Sequence, residues 1–495
     1  MSTLDFDNDF FDLDDNLFKK NSLDYQPDNK LKLSNGNIIT FNEQQIEGIS
    51  KIRGWLKNKG KKFFTLAGAA GTGKSSILKK ITDNYRGRVG ISAPTHKAKR
   101  VVAKMTELDG VTLHSILGLR PDLDLDNFNP NKPEFSPIAE IKMYQYDLLV
   151  IDESSMINLG LLNMIKDVAK IVDIKILFIG DPAQIPPVGE KASAVFSDES
   201  IEIHWLTKVE RQKGSNPLCL IYDKLRNNQK EDYIDYPRVT NINELGEGIY
   251  FLSNKEEFRL SLIKKFNSPE FKADSDFVKL IAWRNITVMN SNKIIRNEIF
   301  GDNSDIVEIG DIFMGYRSIS DSKGYTNIIE NSCDYAVTEK SKRFMNRFGV
   351  YGYDIKIKEE VENKRLKFKN IFLVDTSDLD NVHNYAERHD NLKHIAKVNK
   401  KMWKDYYTFR RESILNVSID EYANGTKRPS SEVIAKDIDY GYAITAHKSQ
   451  SSTYTHVFII EDDINMNPKI RERNQILYVA YTRPTTTATI LSSRF

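Results

Sequence analysis

Gly68-Ala69-Ala70-Gly71-Thr72-Gly73-Lys74-Ser75 is the stretch on which the fold of this chain turns. An apolar run, Phe63-Phe64-Thr65-Leu66, leads into it, and Ile77-Leu78-Lys79-Lys80-Ile81 leaves it with helical spacing. The G-x-x-x-x-G-K-[ST] pattern, set between a strand and a helix, is the arrangement that cradles phosphate oxygens. Glycines let backbone N–H groups turn inward, and the helix N-terminus adds a favourable dipole. Gly68, Ala69, Ala70, Gly71, Thr72, Gly73, Lys74, Ser75 and Ser76 are therefore the expected nucleotide contacts. Lys74 is expected to reach the β/γ-phosphates and Ser75 to ligate Mg²⁺.

Outward from this loop the texture repeats. Leu148-Leu149-Val150-Ile151 is another apolar strand, and it delivers Asp152-Glu153. An acidic pair in that position suits a metal-holding carboxylate, Asp152, followed by Glu153 as the group that orients and deprotonates water. Val89-Gly90-Ile91 and Ile176-Leu177-Phe178-Ile179 complete a first series of buried strands alternating with helical stretches, the pattern of a parallel sheet. Each strand ends in residues able to do chemistry, where open α/β sheets place their ligands. A second series runs through Val278 to Trp283, Tyr442 to Thr445, Val457 to Ile460 and Ala488 to Leu491. Between its first two members, from about Asn303 to Asp439, alternating stretches such as Tyr353-Asp354-Ile355-Lys356-Ile357 and Ile371-Phe372-Leu373-Val374 indicate a β-rich insert. The expected organisation is a tail without fixed structure over 1–38, a first α/β domain over 39–230 with an excursion at about 116–142, a second over 231–302 and 440–495, and the insert over 303–439.

Composition sets limits. Lys+Arg 71 against Asp+Glu 69 gives a net charge of +2, which by itself argues for no class of partner. Asp5, Asp7, Asp9, Asp12, Asp14 and Asp15 crowd the N-terminus, so the remainder is more basic than the sum. Cys219 and Cys333 alone exclude a disulfide framework or a cysteine-ligated zinc site. No apolar run reaches the ~18 residues of a membrane span, and the acidic N-terminus has the wrong sign for a secretory signal. The chain reads as soluble and cytoplasmic, with no membrane partner, and is expected to act as a monomer.

Many unrelated proteins hydrolyse nucleotides with such a loop and acidic pair, so function rests on the accompanying strings. Gly180-Asp181-Pro182-Ala183-Gln184, Leu206-Thr207-Lys208-Val209-Glu210-Arg211-Gln212, Thr445-Ala446-His447-Lys448-Ser449-Gln450 and Leu477-Tyr478-Val479-Ala480-Tyr481-Thr482-Arg483 follow in order. In that order they resemble the motifs of superfamily 1 helicases, first the Dda-type helicases of T-even phages and then the RecD-like group. The resemblance runs from about Thr40 to the C-terminus. It implies an α/β fold of two RecA-like motor domains with parallel sheets, a hairpin insert in the first and a β-rich, SH3-like insert in the second. It implies ATP and Mg²⁺ as cofactors, single-stranded DNA and forked or tailed duplex as partners, and 5′ to 3′ translocation with duplex unwinding. By the same resemblance Gln45, in Phe41-Asn42-Glu43-Gln44-Gln45, contacts adenine, Gln184 senses the γ-phosphate, and Arg211 and Arg483 are arginine fingers. Physics supports the last point, because phosphoryl transfer is accelerated by a planar cationic fork beside the γ-phosphate. Pro94, Thr95, His96 and His114 resemble strand-binding residues of the first domain, and Thr445, His447 and Lys448 those of the second. Where the family carries glycine after the late glutamine, this chain has Ser451, which a positive φ would strain.

Two other functions fit the same strings: the motor subunit of a recombination nuclease, and an ATP-gated nucleic-acid switch that never translocates. Three segments carry alternatives of their own. Arg120-Pro121-Asp122-Leu123 to Phe128-Asn129-Pro130-Asn131-Lys132-Pro133-Glu134-Phe135 is punctuated as a hairpin. The resemblance makes it the strand-splitting pin, with Phe135 as the base contact, or else Phe135 is an ordinary loop aromatic. Lys393 to Arg411 mixes cations with Trp403, Tyr406, Tyr407 and Phe409, which suits either a grip on a single strand or an amphipathic helix with a buried aromatic face. Asp5-Phe6-Asp7-Asn8-Asp9-Phe10-Phe11 suits either a peptide for a single-strand-binding or other replication protein, or a solubilising end.

Overall fold

The computed structural model describes residues 29–33, 36–121, 135–137, 140–187, 189–208, 216–321, 327–361, 365–422, 426–427 and 432–493. The chain falls into two compact units, one limited by Met1–Pro94, Ala98–Leu119 and Ala139–Gly214, the other by Thr95–Lys97, Arg120–Ile138 and Ser215–Phe495.

In the first unit six parallel strands lie in the order Glu202–Leu206, Phe63–Gly68, Lys175–Gly180, Leu148–Ile151, Val89–Ala93, Gly110–Thr112. The central runs are apolar throughout because both faces of the sheet are covered. Leu148 and Val150 join Phe64, Leu66, Leu177 and Ile179 against the helices Glu43–Lys57 and Lys74–Asn84. Leu149 and Ile151 turn the other way, joining Phe63, Ile176 and Phe178 against the helix Leu159–Ile171. Each such side chain contributes about 1.5–3 kcal/mol by leaving water. Two edge strands, Glu202–Leu206 and Gly110–Thr112, escaped the sequence reading because neither is a continuous apolar run.

The expectation of unstructured chain up to residue 38 is corrected from residue 29 onward. Lys30–Lys32 and Ile38–Thr40 pair antiparallel, Phe41 N–H donates to Asn29 O at 2.8 Å, and Gly36 takes φ +85° between the strands. Leu31 is buried in the first core with Leu33 and Ile39 beside it, and Lys80 Nζ donates to Lys30 O at 2.8 Å. Residues 1–28 lie outside the described residues, and so does the proposed partner segment within them.

The sheet of the second unit runs Asn241–Ile242, Gly248–Leu252, Pro484–Leu491, Tyr454–Ile460, Val278–Ala282, Ala443–Thr445. All pairings are parallel except that of the short edge strand Asn241–Ile242. Between Val278–Ala282 and Ala443–Thr445 the insert forms an antiparallel sheet from Ile312–Gly315, Asp334–Lys340, Phe344–Met345, Tyr351–Val361, Arg365–Val374 and Ile438–Tyr440. Its first and last strands pair with each other, Phe313 opposite Tyr440, so the chain enters and leaves side by side.

Lys393 to Arg411 is two helices rather than one. Leu379–Val398 ends before Asn399, and Trp403–Arg411 starts after a short 3₁₀ turn. Trp403, Tyr406 and Phe409 are buried, Tyr406 OH lies 2.9 Å from His389 Nε2, and Phe409 packs on Tyr385. These rings are core, which removes them as stacking platforms. In the excursion after Ile116, Leu119–Pro121 and Phe135–Pro137 pair as a two-stranded sheet. The Phe135 side chain lies outside the described residues.

Candidate nucleotide site and strand-end turns

Parallel register brings three neighbouring strand ends together. Ala67 pairs with Gly180 and Ile151 with Phe178, so the turns beginning at Gly68, Asp181 and Asp152 leave the same edge of the first sheet. In the first turn Gly71 and Gly73 take φ of +82° and +83°, the left-handed region that favours glycine. A Cβ on Gly73 would also meet Gln45 Nε2 at 2.3 Å, and one on Gly68 would meet Leu206 O at 2.8 Å. Thr72 Oγ1 donates to Ala69 O at 2.9 Å. Lys74 Nζ donates to Gly68 O and Ala69 O, both at 2.8 Å, which lays the ammonium over the loop. Ala69 is buried, Ala70 and Ser76 are half-buried, and Ser75 is exposed at the head of the helix Lys74–Asn84.

Gln45 braces this loop. Its Oε1 accepts from Asn42 N–H at 3.0 Å, its Nε2 donates to Thr72 O at 3.0 Å, and Asn42 Oδ1 caps the Gln45 N–H at 2.9 Å. The Asn42-x-x-Gln45 spacing could have announced the capping box, while the bond from Gln45 Nε2 to Thr72 O is what ties the helix Glu43–Lys57 to the phosphate loop. On the neighbouring strand Asp152 N–H donates to Ser92 O at 2.9 Å. Burial pushes the Asp152 carboxyl above its ordinary value, against the Glu153 N–H and the Lys74 charge, which pull it down. Glu153 sits at φ +52° without being glycine, a conformation that costs about 1–3 kcal/mol and is concentrated at functional sites. Gln184 is buried in a turn folded on Asp181, whose Oδ1 accepts from Ala183 N–H at 3.1 Å while its O accepts from Gln184 N–H at 3.1 Å. Arg211 lies outside the described residues.

The residues read as strand contacts also stand at strand ends. Pro94, Thr95 and His96 follow Val89–Ala93, with His96 opening the helix His96–Thr106. His114, half-buried, lies in the short helix Leu113–Ile116 just after Gly110–Thr112. In the second unit Thr445 ends its strand and caps the next turn, its Oγ1 accepting from Lys448 N–H at 3.3 Å. His447 is exposed. Lys448 is engaged: its Nζ donates to Asn331 Oδ1, to Ser332 Oγ at 3.4 Å and to Gly315 O at 3.5 Å, and lies 4.5 Å above the Tyr316 ring. Burial, helped by Lys436, brings its pKa down to about 8. Ser451 takes φ +68°. Arg483 is 4% exposed, with Nε donating to Val479 O at 2.9 Å and a terminal nitrogen to Ser452 O at 3.0 Å.

Two families match the ends of the chain: AAA domain over residues 40–243 and UvrD-like helicase C-terminal domain over 440–491. This chain is a superfamily 1 helicase. Among relatives of the helicase, the ATP-dependent DNA helicase Dda of Enterobacteria phage T4 is 24% identical over 86% of this chain and 94% of its own. An uncharacterised protein of Acanthamoeba polyphaga mimivirus is 24% identical over 89% and 97%. The ATP-dependent RecD2 DNA helicase of Deinococcus radiodurans is 32% identical over 32% of this chain and 21% of its own. Among solved structures, Pif1 helicase from Candida albicans superposes with a TM-score of 0.48 at 16% identity, covering 92% of this chain and 94% of that one. No helix among the helicase's described residues is long and apolar enough to cross a membrane.

Proposed function

We propose that this helicase is an ATP-dependent DNA motor that translocates 5′ to 3′ on single-stranded DNA and unwinds tailed or forked duplex. The observation that carries the reading is the set of neighbouring strand ends in the first sheet, where the phosphate loop, Asp152-Glu153 and the Gln184 turn leave one edge. The glycine cradle at Gly71 and Gly73 fits a chain of phosphates, and the half-buried carboxyl of Asp152, which desolvation raises, fits a cation. Bound there, Mg²⁺-ATP supplies the γ-phosphoryl group and neutralises phosphate charge. Ser75 and Asp152 would hold the metal, and Lys74, now on the Gly68 and Ala69 carbonyls, would turn to the β/γ-oxygens. Glu153 takes a proton from water, Gln184 reports the γ-position, and Arg483, with Arg211, stabilises the charge that develops on transfer. Thr445 and His447, with Thr95, His96 and His114, would donate to the backbone of one DNA strand, with Pro94, which has no N–H, offering only contact surface beside it; such contacts position the strand without reading sequence.

Two assays test this. Lys74→Ala lowers kcat for ATP hydrolysis by about 10²–10³-fold, the scale of losing one pre-aimed donor. Glu153→Gln retains ATP binding and hydrolyses slowly. With matched duplexes, a 5′ single-stranded tail supports unwinding and a 3′ tail does not. Unwinding from the 3′ tail alone overturns the polarity, and near-normal turnover of Lys74→Ala overturns the assigned chemistry.

A further inference from the structure

Arg483 leaves the C-terminal end of the helix Ile470–Tyr481 with all three nitrogens of its guanidinium hydrogen-bonded within its own chain. Nε donates to Val479 O at 2.9 Å and one terminal nitrogen to Thr482 Oγ1 at 2.8 Å. Both partners belong to the same helix end and move with the arginine. The other terminal nitrogen donates to Ser452 O at 3.0 Å and Ser449 O at 3.5 Å, so it crosses to the turn that follows Ala446–Ser449. A guanidinium has only in-plane N–H donors to offer, and a phosphate oxygen competes for those same donors. A phosphate grip that uses the nitrogen held by Ser452 O and Ser449 O therefore requires that the turn let go.

The turn itself is under strain. Ser451 sits at φ +68°, in the left-handed region without being glycine. Ser451 and Ser452 are almost fully buried, and both hydroxyls lack a hydrogen-bond partner among the described residues. A left-handed serine and two orphaned hydroxyls raise the energy of this arrangement relative to any that relieves them. The bonds from Arg483 and the strain in the turn thus act in opposite directions at one place.

We propose that the Ser449–Ser452 turn is a latch that stores Arg483 between turnovers, and that Ser451 is a positioning residue which sets how firmly the latch holds. The proposal rests on the reading of Arg483 as a phosphate-facing cation. In the latched form the guanidinium serves the turn, and in the released form it is available to the transferring phosphoryl group. Serine, by disfavouring the left-handed conformation, keeps the latch shallow.

The test is steady-state ATP hydrolysis by the full chain at saturating ATP and oligo(dT), for Ser451→Asn, Ser451→Gly and Arg483→Lys. Glycine accepts positive φ best and asparagine better than serine, so the latch deepens in that order. The expected kcat of Ser451→Gly is about fivefold below wild type, the factor that matches about 1 kcal/mol of relieved backbone strain. Ser451→Asn falls between, the KM for ATP stays within about twofold, and thermal stability is held or raised. A variant that is no less stable yet slower is what a purely structural role for Ser451 does not give. An unchanged or raised kcat in Ser451→Gly, with Arg483→Lys impaired, overturns the latch alone. Wild-type kcat in Arg483→Lys overturns the role of Arg483, and the latch with it.

Discussion

If Asp152 holds the metal as proposed, a proton and a Mg²⁺ ion compete for one half-buried carboxyl. Burial raises its pKa, and only the ionised form binds Mg²⁺, so the acid limb of ATP hydrolysis lies above the ordinary aspartate range at low Mg²⁺. Raising Mg²⁺ pulls the carboxyl back toward ionisation and moves that limb to lower pH. Rate against pH at two Mg²⁺ concentrations checks this, and superimposable limbs would remove Asp152 as the metal group. Residues of this kind were legible in the sequence because phosphate loop and acidic pair are each contiguous and need only a strand before them. Gln45, Lys448 and Arg483 were legible as motif members but not as structural braces. Their partners are distant in the chain: Lys448 Nζ meets Asn331 117 positions earlier, and Gln45 meets Thr72 27 positions later. No local spacing encodes such a meeting.

Among elements, the N-terminal hairpin shows what composition conceals. An acidic, polar opening suggests a tail, yet Leu31, Leu33 and Ile39 alternate around Asn35-Gly36, a hairpin signal that the charge of the preceding segment outweighs. Leu31 is 2% exposed, and Leu31→Ala is expected to cost about 2–5 kcal/mol. Removal of residues 1–28 leaves the thermal midpoint of the first unit unchanged, whereas removal of 1–35 lowers it. Denaturation followed by circular dichroism separates these outcomes, and equal midpoints for the two truncations would show that the hairpin adds nothing. Central strands were readable because burial on both faces makes them apolar throughout. Strands at or beside a sheet edge were not: Glu202-Ile203-His204-Trp205-Leu206 and Gly248-Ile249-Tyr250-Phe251-Leu252 mix polar or exposed positions with core ones, as half-covered strands do. The break at Asn399 was hidden because its flanks share one helical composition, while the Asn399 side chain accepts from Lys401 N–H and starts a new turn.

For the whole molecule, each unit has a parallel sheet with a core of its own, which is the condition for separate unfolding transitions. In the second unit Glu461 follows the strand Tyr454–Ile460 and is fully buried, accepting from Tyr236 OH at 3.0 Å, Tyr481 OH at 2.9 Å and an Arg238 terminal nitrogen at 3.2 Å. Glu461→Ala strands Arg238 and both hydroxyls, at a cost of about 3–5 kcal/mol. Calorimetry should show the transition of the second unit fall while the one that ADP raises stays in place. A common drop in both would mean that the units unfold together. The insert has a different kind of consequence. Ile312–Gly315 and Ile438–Tyr440 are hydrogen-bonded neighbours, so the excursion begins and ends at one doorway about 5 Å wide. Whatever is threaded through that doorway closes its own loop, and beyond the crossing the host meets the insert near its start, where Asp334 pairs with Lys279, and Asn331 and Ser332 hold Lys448. Natural variation, or a protein engineer grafting a foreign domain, can therefore rewrite the far part of the insert, beyond Lys340, more freely than the stretch from Asn331 to Asp334 that holds Lys448 and Lys279.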